Sequence, residues 1–128
     1  MEIGQVGKFE TVVTAENTAQ AMGSGSMPVF ATPAMAAAME AASVDCVRDG
    51  LEEGSATVGT SLSLRHTAAT PVGMRVTAVA ELVAIEGRLL RFAVTALDEA
   101  GVIGQAEHER VIVQADRFLE KTNGKGRK

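Results

Sequence analysis

Glu40 stands inside an otherwise almost wholly apolar, alanine-rich run from Pro33 to Val44. Desolvating an unpaired carboxylate costs several kcal/mol or shifts its protonation, so Glu40 must be paired, protonated or used. The use open to it is general-base or nucleophilic chemistry. His66 is the second chemical residue. Side chains alternate along a strand, so Val58, Thr60, Leu62, Leu64 and His66 share one face, while Gly59, Ser61, Ser63 and Arg65 share the other. The apolar face covers the helix, which aims His66 at the same interior as Glu40, with an imidazole suited to proton transfer near neutral pH. Other reactive groups carry weaker signals. His108 shares its face with Ala106 and Arg110 and reads as structural, with Glu107, Glu109 and Arg110 forming ion pairs at a sheet or dimer surface. Cys46 has no basic neighbour in sequence and reads as a buried thiol. Gly59 by itself reads as a bulge or a close-packing position. His66 and His108 are the only histidines, with no cysteine pair or HExxH spacing beside them, so no metal site is expected. Gly23 to Ser26 lacks the lysine of a phosphate-binding loop.

The elements that must hold Glu40 and His66 follow from patterning. Ala, Met and Glu are strong helix formers, and no glycine interrupts the run before Gly50. Thr32 before Pro33 reads as an N-cap hydroxyl followed by proline at the first helical position. The first half of this helix has no polar stripe, which predicts burial on most sides. Phe9 to Thr14 predicts a first strand and Asn17 to Met22 a short helical turn. Four further strands are expected at about Ala56 to His66, Met74 to Glu86, Arg88 to Leu97 and Val102 to Val113. Gly87 and the Asp98 to Gly101 cluster are tight-turn signals, so the last three strands form an antiparallel meander. One long helix and about five strands make an α+β domain with the sheet wrapped on the helix.

The chain's 128 residues suffice for one domain. It is expected over residues 1–118, with a basic, solvated and disordered tail over 119–128. Only four Phe and no Trp or Tyr give an aliphatic core with few platforms for stacking bases, and a net charge of −4 argues against nucleic-acid binding through phosphates. A single cysteine excludes an intrachain disulfide and favours the cytoplasm. No segment reads as a signal peptide or as a membrane span. A lone helix on a small sheet leaves apolar surface at positions such as Val79, Val83 and Ile85, and homodimerisation is the simplest way to cover it.

Val29-Phe30-Ala31-Thr32 leads into the helix that carries Glu40, and Gly59-Thr60, His66-Thr67-Ala68-Ala69-Thr70-Pro71 and His108-Glu109-Arg110 follow it. In this order the segments resemble the fluoroacetyl-CoA thioesterase-like branch of the hot-dog superfamily, over roughly Gly4 to Phe118. The His-Thr-Ala-Ala-Thr-Pro segment is the most specific part. The resemblance implies a hot-dog homodimer, with acyl-CoA bound between subunits and hydrolysed to acid and CoA. No cofactor is implied beyond the CoA of the substrate. It further implies catalytic roles for Thr32, Glu40 and His66, with Gly59 beside the thioester; a main-chain N–H near Gly59 is then expected to stabilise the oxyanion.

Phe30 and Met35 are expected to contact the acyl group, with Met22, Met27 and Met39 shaping the pocket. Acyl choice does not carry over, because Ala21 to Pro28 is rich in glycine and serine and lacks aromatic residues. Within one helix, Thr32 and Glu40 lie about 12 Å apart along the axis and about 80° around it, so they do not touch directly. Either His66 or water lies between them, or the site draws residues from both subunits. Two rival functions remain: a hot-dog dehydratase or hydratase, which releases no CoA, and a non-catalytic acyl-CoA binding module.

Overall fold

The computed structural model describes residues 1–127. In chain order the elements are β1 (Val6–Val12), α1 (Ala19–Met22), α2 (Thr32–Val47) with a 3₁₀ turn at Arg48–Gly50, β2 (Ser55–His66), β3 (Arg75–Glu86), β4 (Leu89–Asp98), β5 (Gly101–Gln114) and α3 (Ala115–Gly124). The five strands form one antiparallel sheet in the order β1-β3-β4-β5-β2, curled around α2 in the hot-dog arrangement. β3, β4 and β5 form the expected meander, with Gly87 at φ 64° in the β3–β4 turn, a conformation that glycine adopts without strain.

The core lies between α2 and the concave face of the sheet. Alternate residues of β3 (Val76, Ala78, Ala80, Leu82) and of β4 (Leu90, Phe92, Val94, Ala96) point inward and are buried. On the helix Met35, Ala38, Met39, Ala42, Ser43, Cys46 and Val47 meet them, at the alternating three-and-one spacing of a single helical face. Small residues permit this close approach. A Cβ on Gly104 would stand 2.5 Å from the Met35 sulfur and 2.9 Å from the Arg65 carbonyl oxygen.

Several expectations change. α2 is buried on one face only: Ala37 is exposed and Ala36, Glu40, Ala41 and Val44 are half-buried, because a single sheet covers only one side of a helix. The N-cap is Ala31, which makes no side-chain capping bond. Thr32 and Pro33 are therefore the first two helical residues, and the Thr32 hydroxyl is free for another partner. Regular structure also runs past Phe118. The Gln114 side chain accepts from the Arg117 N–H and caps α3, whose first turn holds Asp116 and whose last turn holds Lys121, in keeping with the helix dipole. The basic tail thus begins as a helix, and its last residue, Lys128, lies outside the described residues. Val83 and Ile85 are exposed on the outer face, as expected. No helix among the described residues is long and apolar enough to cross a membrane.

Candidate active site

The sequence candidates fall into two clusters joined by α2 and β2. The first forms where the chain enters α2. Val29 bridges Pro71, and the Phe30 N–H donates to the Thr70 carbonyl at 2.9 Å, so the loop after β2 is laid against the segment before the helix. That loop is pinned in turn by Thr67 N–H to the Ile103 carbonyl at 2.8 Å and by the Thr70 hydroxyl to Asp98 at 2.8 Å. The docking brings Thr32 Oγ1 within 2.8 Å of His66 Nδ1. A hydroxyl donating to Nδ1 leaves the ring proton on Nε2, the arrangement in which imidazole withdraws a hydroxyl proton. Nε2 itself is buried without a hydrogen-bond partner among the described residues. Beside the pair opens a cavity of about 350 Å³, lined in part by Phe30, Ser24, Gly25, Ser26 and Ala68. Phe30 lines this cavity together with Thr32 and His66. Met35 is buried in the core beside Gly104.

The second cluster holds Glu40. Strand parity alone would turn Gly59 away from the helix, but the β2–β5 register shifts between Gly59 and Ser61. Gly59 faces Arg110 and Ser61 faces Glu109, which leaves Thr60 as the extra residue of a β-bulge. The bulge inverts the pattern before it. Thr57 and Gly59 face the helix along with His66, and the predicted inward positions of Val58 and Thr60 are lost. A Cβ on Gly59 would lie 2.6 Å from Glu40 Oε2, so only glycine leaves that space to the carboxylate.

Arg110, and not His66, pairs with Glu40. Its Nη1 donates to Glu40 Oε2 at 2.9 Å, while the side chains are 8% and 45% exposed respectively. The guanidinium is held from every side. Nε donates to the Thr57 hydroxyl at 2.8 Å, Nη2 to the Thr57 carbonyl at 3.0 Å, and Nη1 also approaches His108 Nε2 at 3.2 Å. His108 completes the chain, with Nδ1 2.7 Å from the Ser61 carbonyl beside the bulge. Because a carbonyl only accepts, Nδ1 carries the ring proton and Nε2 accepts from Arg110. Burial pushes His108 below the ordinary histidine range; the Ser61 bond opposes this and the Arg110 charge adds to it. The imidazole is therefore neutral at pH 7.

Arg110 and His108 were not recognised as site residues. The acidic neighbours Glu107 and Glu109 made this stretch of β5 read as a surface. Glu109 does pair outward with Arg91 at 2.7 Å, while the alternate residues turn inward. Glu40 is half-exposed and cation-paired rather than desolvated and alone. Among the described residues its Oε1 makes no hydrogen bond, so one oxygen is anchored and the other is open. Cys46 is buried, donates its thiol to the Gln5 carbonyl at 3.2 Å, and burial raises its pKa, in keeping with an inert thiol. No three His, Cys, Asp or Glu side chains converge as metal ligands among the described residues.

Comparisons with known proteins match this architecture. The fluoroacetyl-CoA-specific thioesterase family model matches residues 13–116. The fluoroacetyl-CoA thioesterase of Streptantibioticus cattleyicolor is 42% identical over 97 residues, covering 76% of this chain and 70% of that protein. A solved structure of a fluoroacetyl-CoA thioesterase superposes with a TM-score of 0.91 at 36% identity, over 98% of this chain and 97% of the other. A thioesterase superfamily member from Thermus thermophilus gives 0.88 at 35% identity, over 95% and 90%. The chain belongs to the fluoroacetyl-CoA-specific thioesterase family.

Proposed function

We propose that this protein hydrolyses an acyl-CoA thioester to a carboxylic acid and CoA, with Glu40 as the nucleophile or general base. The observation that carries the reading is the Glu40 carboxylate itself, fixed at Oε2 by Arg110 over the bare backbone of Gly59 and open at Oε1. Oε1 either attacks the thioester carbonyl or takes a proton from an attacking water. If the carboxylate attacks, the carbon–sulfur bond breaks to leave a glutamyl anhydride, which water then hydrolyses to free the acid and restore Glu40. If water attacks, its oxygen bonds the carbonyl carbon as the carbon–sulfur bond breaks. On either route the proton lost by water goes to the departing thiolate. A main-chain N–H near Gly59 stabilises the oxyanion. His66 passes protons and orients the acyl group together with Thr32, to which it is hydrogen-bonded. A solved relative holds acetyl-CoA, which supports binding of the same class of ligand here.

The two clusters sit too far apart along α2 for one carbonyl to meet both, at about 12 Å between Thr32 and Glu40. A homodimer removes the difficulty. β2 is an edge strand, and its residues Gly59, Thr60, Ser61, Ser63 and Arg65 are exposed. Antiparallel pairing of two β2 edges about a two-fold axis at Ser63, with Thr60 as the extra residue of each bulge, sets His66 of one copy opposite Gly59 of the other. Each active site then takes Thr32 and His66 from one subunit and Glu40 from its neighbour. The lone buried cysteine fits a cytoplasmic setting.

The test is release of free thiol from a panel of short, branched and aromatic acyl-CoAs. Thiol release supports hydrolysis. Loss of substrate without thiol release points to hydration or dehydration, and saturable binding without turnover points to a binding module.

A further inference from the structure

We propose that His108 is a positioning residue for Glu40, acting through Arg110. This rests on the thioesterase reading, in which Glu40 is the reacting group. The geometry forms one continuous chain from backbone to carboxylate. The bulge at Thr60 shifts the register just before Ser61, whose carbonyl lies 2.7 Å from His108 Nδ1. That carbonyl fixes the proton of His108 on Nδ1. The lone pair of Nε2 then faces Arg110 Nη1, which has two hydrogens: one for His108 at 3.2 Å and one for Glu40 at 2.9 Å. Thr57 takes Nε and one hydrogen of Nη2, so the guanidinium plane has no freedom to turn. Phe92, its ring centroid 6.0 Å from that of His108, walls the imidazole on the core side.

Three features separate this from an ordinary core histidine. The ring is 2% exposed yet both nitrogens are engaged by different polar groups. It stands next to a buried cation, where an imidazolium would be repelled and would lose its acceptor lone pair. Finally, Gly59 leaves room for Glu40 Oε2 where a side chain would stand, and Arg110 holds the carboxylate there. The charged groups facing His108 are Arg110 from its own strand and Glu40 from α2; from β2 it meets backbone and from β4 the apolar Phe92. Protonating Nε2 turns its lone pair into a donor aimed at Arg110 Nη1, which releases the guanidinium and with it the carboxylate.

The experiment compares His108→Leu with His108→Gln. Leucine keeps bulk without an acceptor, while glutamine keeps an acceptor that does not titrate. The expected result is a fall in kcat of about ten- to a hundredfold for His108→Leu with KM changed less than about twofold, and recovery of most of that loss in His108→Gln. The acid limb of the kcat profile, in the part set by His108, flattens in His108→Gln. In parallel, nitrogen-15 spectra should show separate, slowly exchanging Nη resonances for Arg110 in the wild type and in His108→Gln, merged in His108→Leu. Wild-type kcat with unmerged Arg110 resonances in a folded His108→Leu protein overturns the proposal. Equal losses in the two variants overturn it too, since that pattern belongs to core packing alone. The Arg110 resonances are read without substrate, so a wild-type protein that hydrolyses no acyl-CoA sinks the thioesterase reading while the positioning claim is still decided by the spectra.

Discussion

Arg110 Nη1 donates to Glu40 Oε2 at 2.9 Å, across 70 positions of sequence, from a side chain far more buried than the carboxylate it holds. The asymmetry has a direct consequence. The cation is the fixed member, committed to Thr57, His108 and Glu40 at once, while the carboxylate keeps one face toward solvent. Removing the charge at Glu40 should therefore touch chemistry more than folding. Glu40→Gln keeps an oxygen to accept from Arg110 and should cost about 1 kcal/mol in chemical denaturation, the upper end of the range for an exposed pair.

Thr32 makes a second discrimination possible. If its hydroxyl capped α2, losing it would cost about 1 kcal/mol. Because Ala31 is the cap and Thr32 Oγ1 bonds His66 instead, Thr32→Val should change stability by less than about 0.5 kcal/mol. It should lower kcat by about ten- to a hundredfold. Calorimetry and turnover on the same preparation check both halves.

Gly59→Ala tests the seat of the carboxylate. The new Cβ would lie 2.6 Å from Glu40 Oε2, 3.3 Å from Arg110 Nη1 and 3.4 Å from His108 Cε1, all ends or edges of side chains rather than backbone. The backbone can stay and the carboxylate must move. Expected are a loss of about 1 kcal/mol in stability and a drop of about a hundredfold in kcat. Gly7→Ala provides the contrast. There a Cβ would run into the backbone of Ala42 and Cys46, neither of which can yield, so destabilisation of about 3 kcal/mol or more is expected in urea titration.

Stability should also fall in acid through His108. Its folded-state pKa lies below the ordinary 6.5, so between those values the unfolded chain binds the proton and the native state does not. The contribution is whole above about pH 6.5 and is lost as pH falls from there toward the lowered value. Over the same interval the melting temperature of His108→Gln should fall less steeply than that of the wild type. Parallel slopes would contradict a neutral, buried His108.

Much of this site was legible in the residues. Glu40 stood out because a carboxylate is costly in an alanine helix, and the helix and four later strands fall within one to three residues of the patterned boundaries, since burial imposes their periods. Strand parity turned His66 inward, where it bonds Thr32, but it did not show that Arg110 holds Glu40. Pairings such as Glu40 with Arg110 depend on which strands become neighbours, and no local period encodes that. The bulge at Thr60 is a property of two strands in register, and Gly59 was its only trace in one of them. α3 was missed because its charged, exposed sequence matches a solvated tail in composition, and it stands on a side-chain cap and weak packing against β5.

The account depends most on the role of Glu40. The direct measurement is free thiol release from the best acyl-CoA of the panel by wild type and by Glu40→Gln, at equal concentration and with matched circular dichroism and sedimentation. The prediction is turnover in the wild type and a loss of about a hundredfold or more in the folded Glu40→Gln protein. Undiminished thiol release by Glu40→Gln would contradict it.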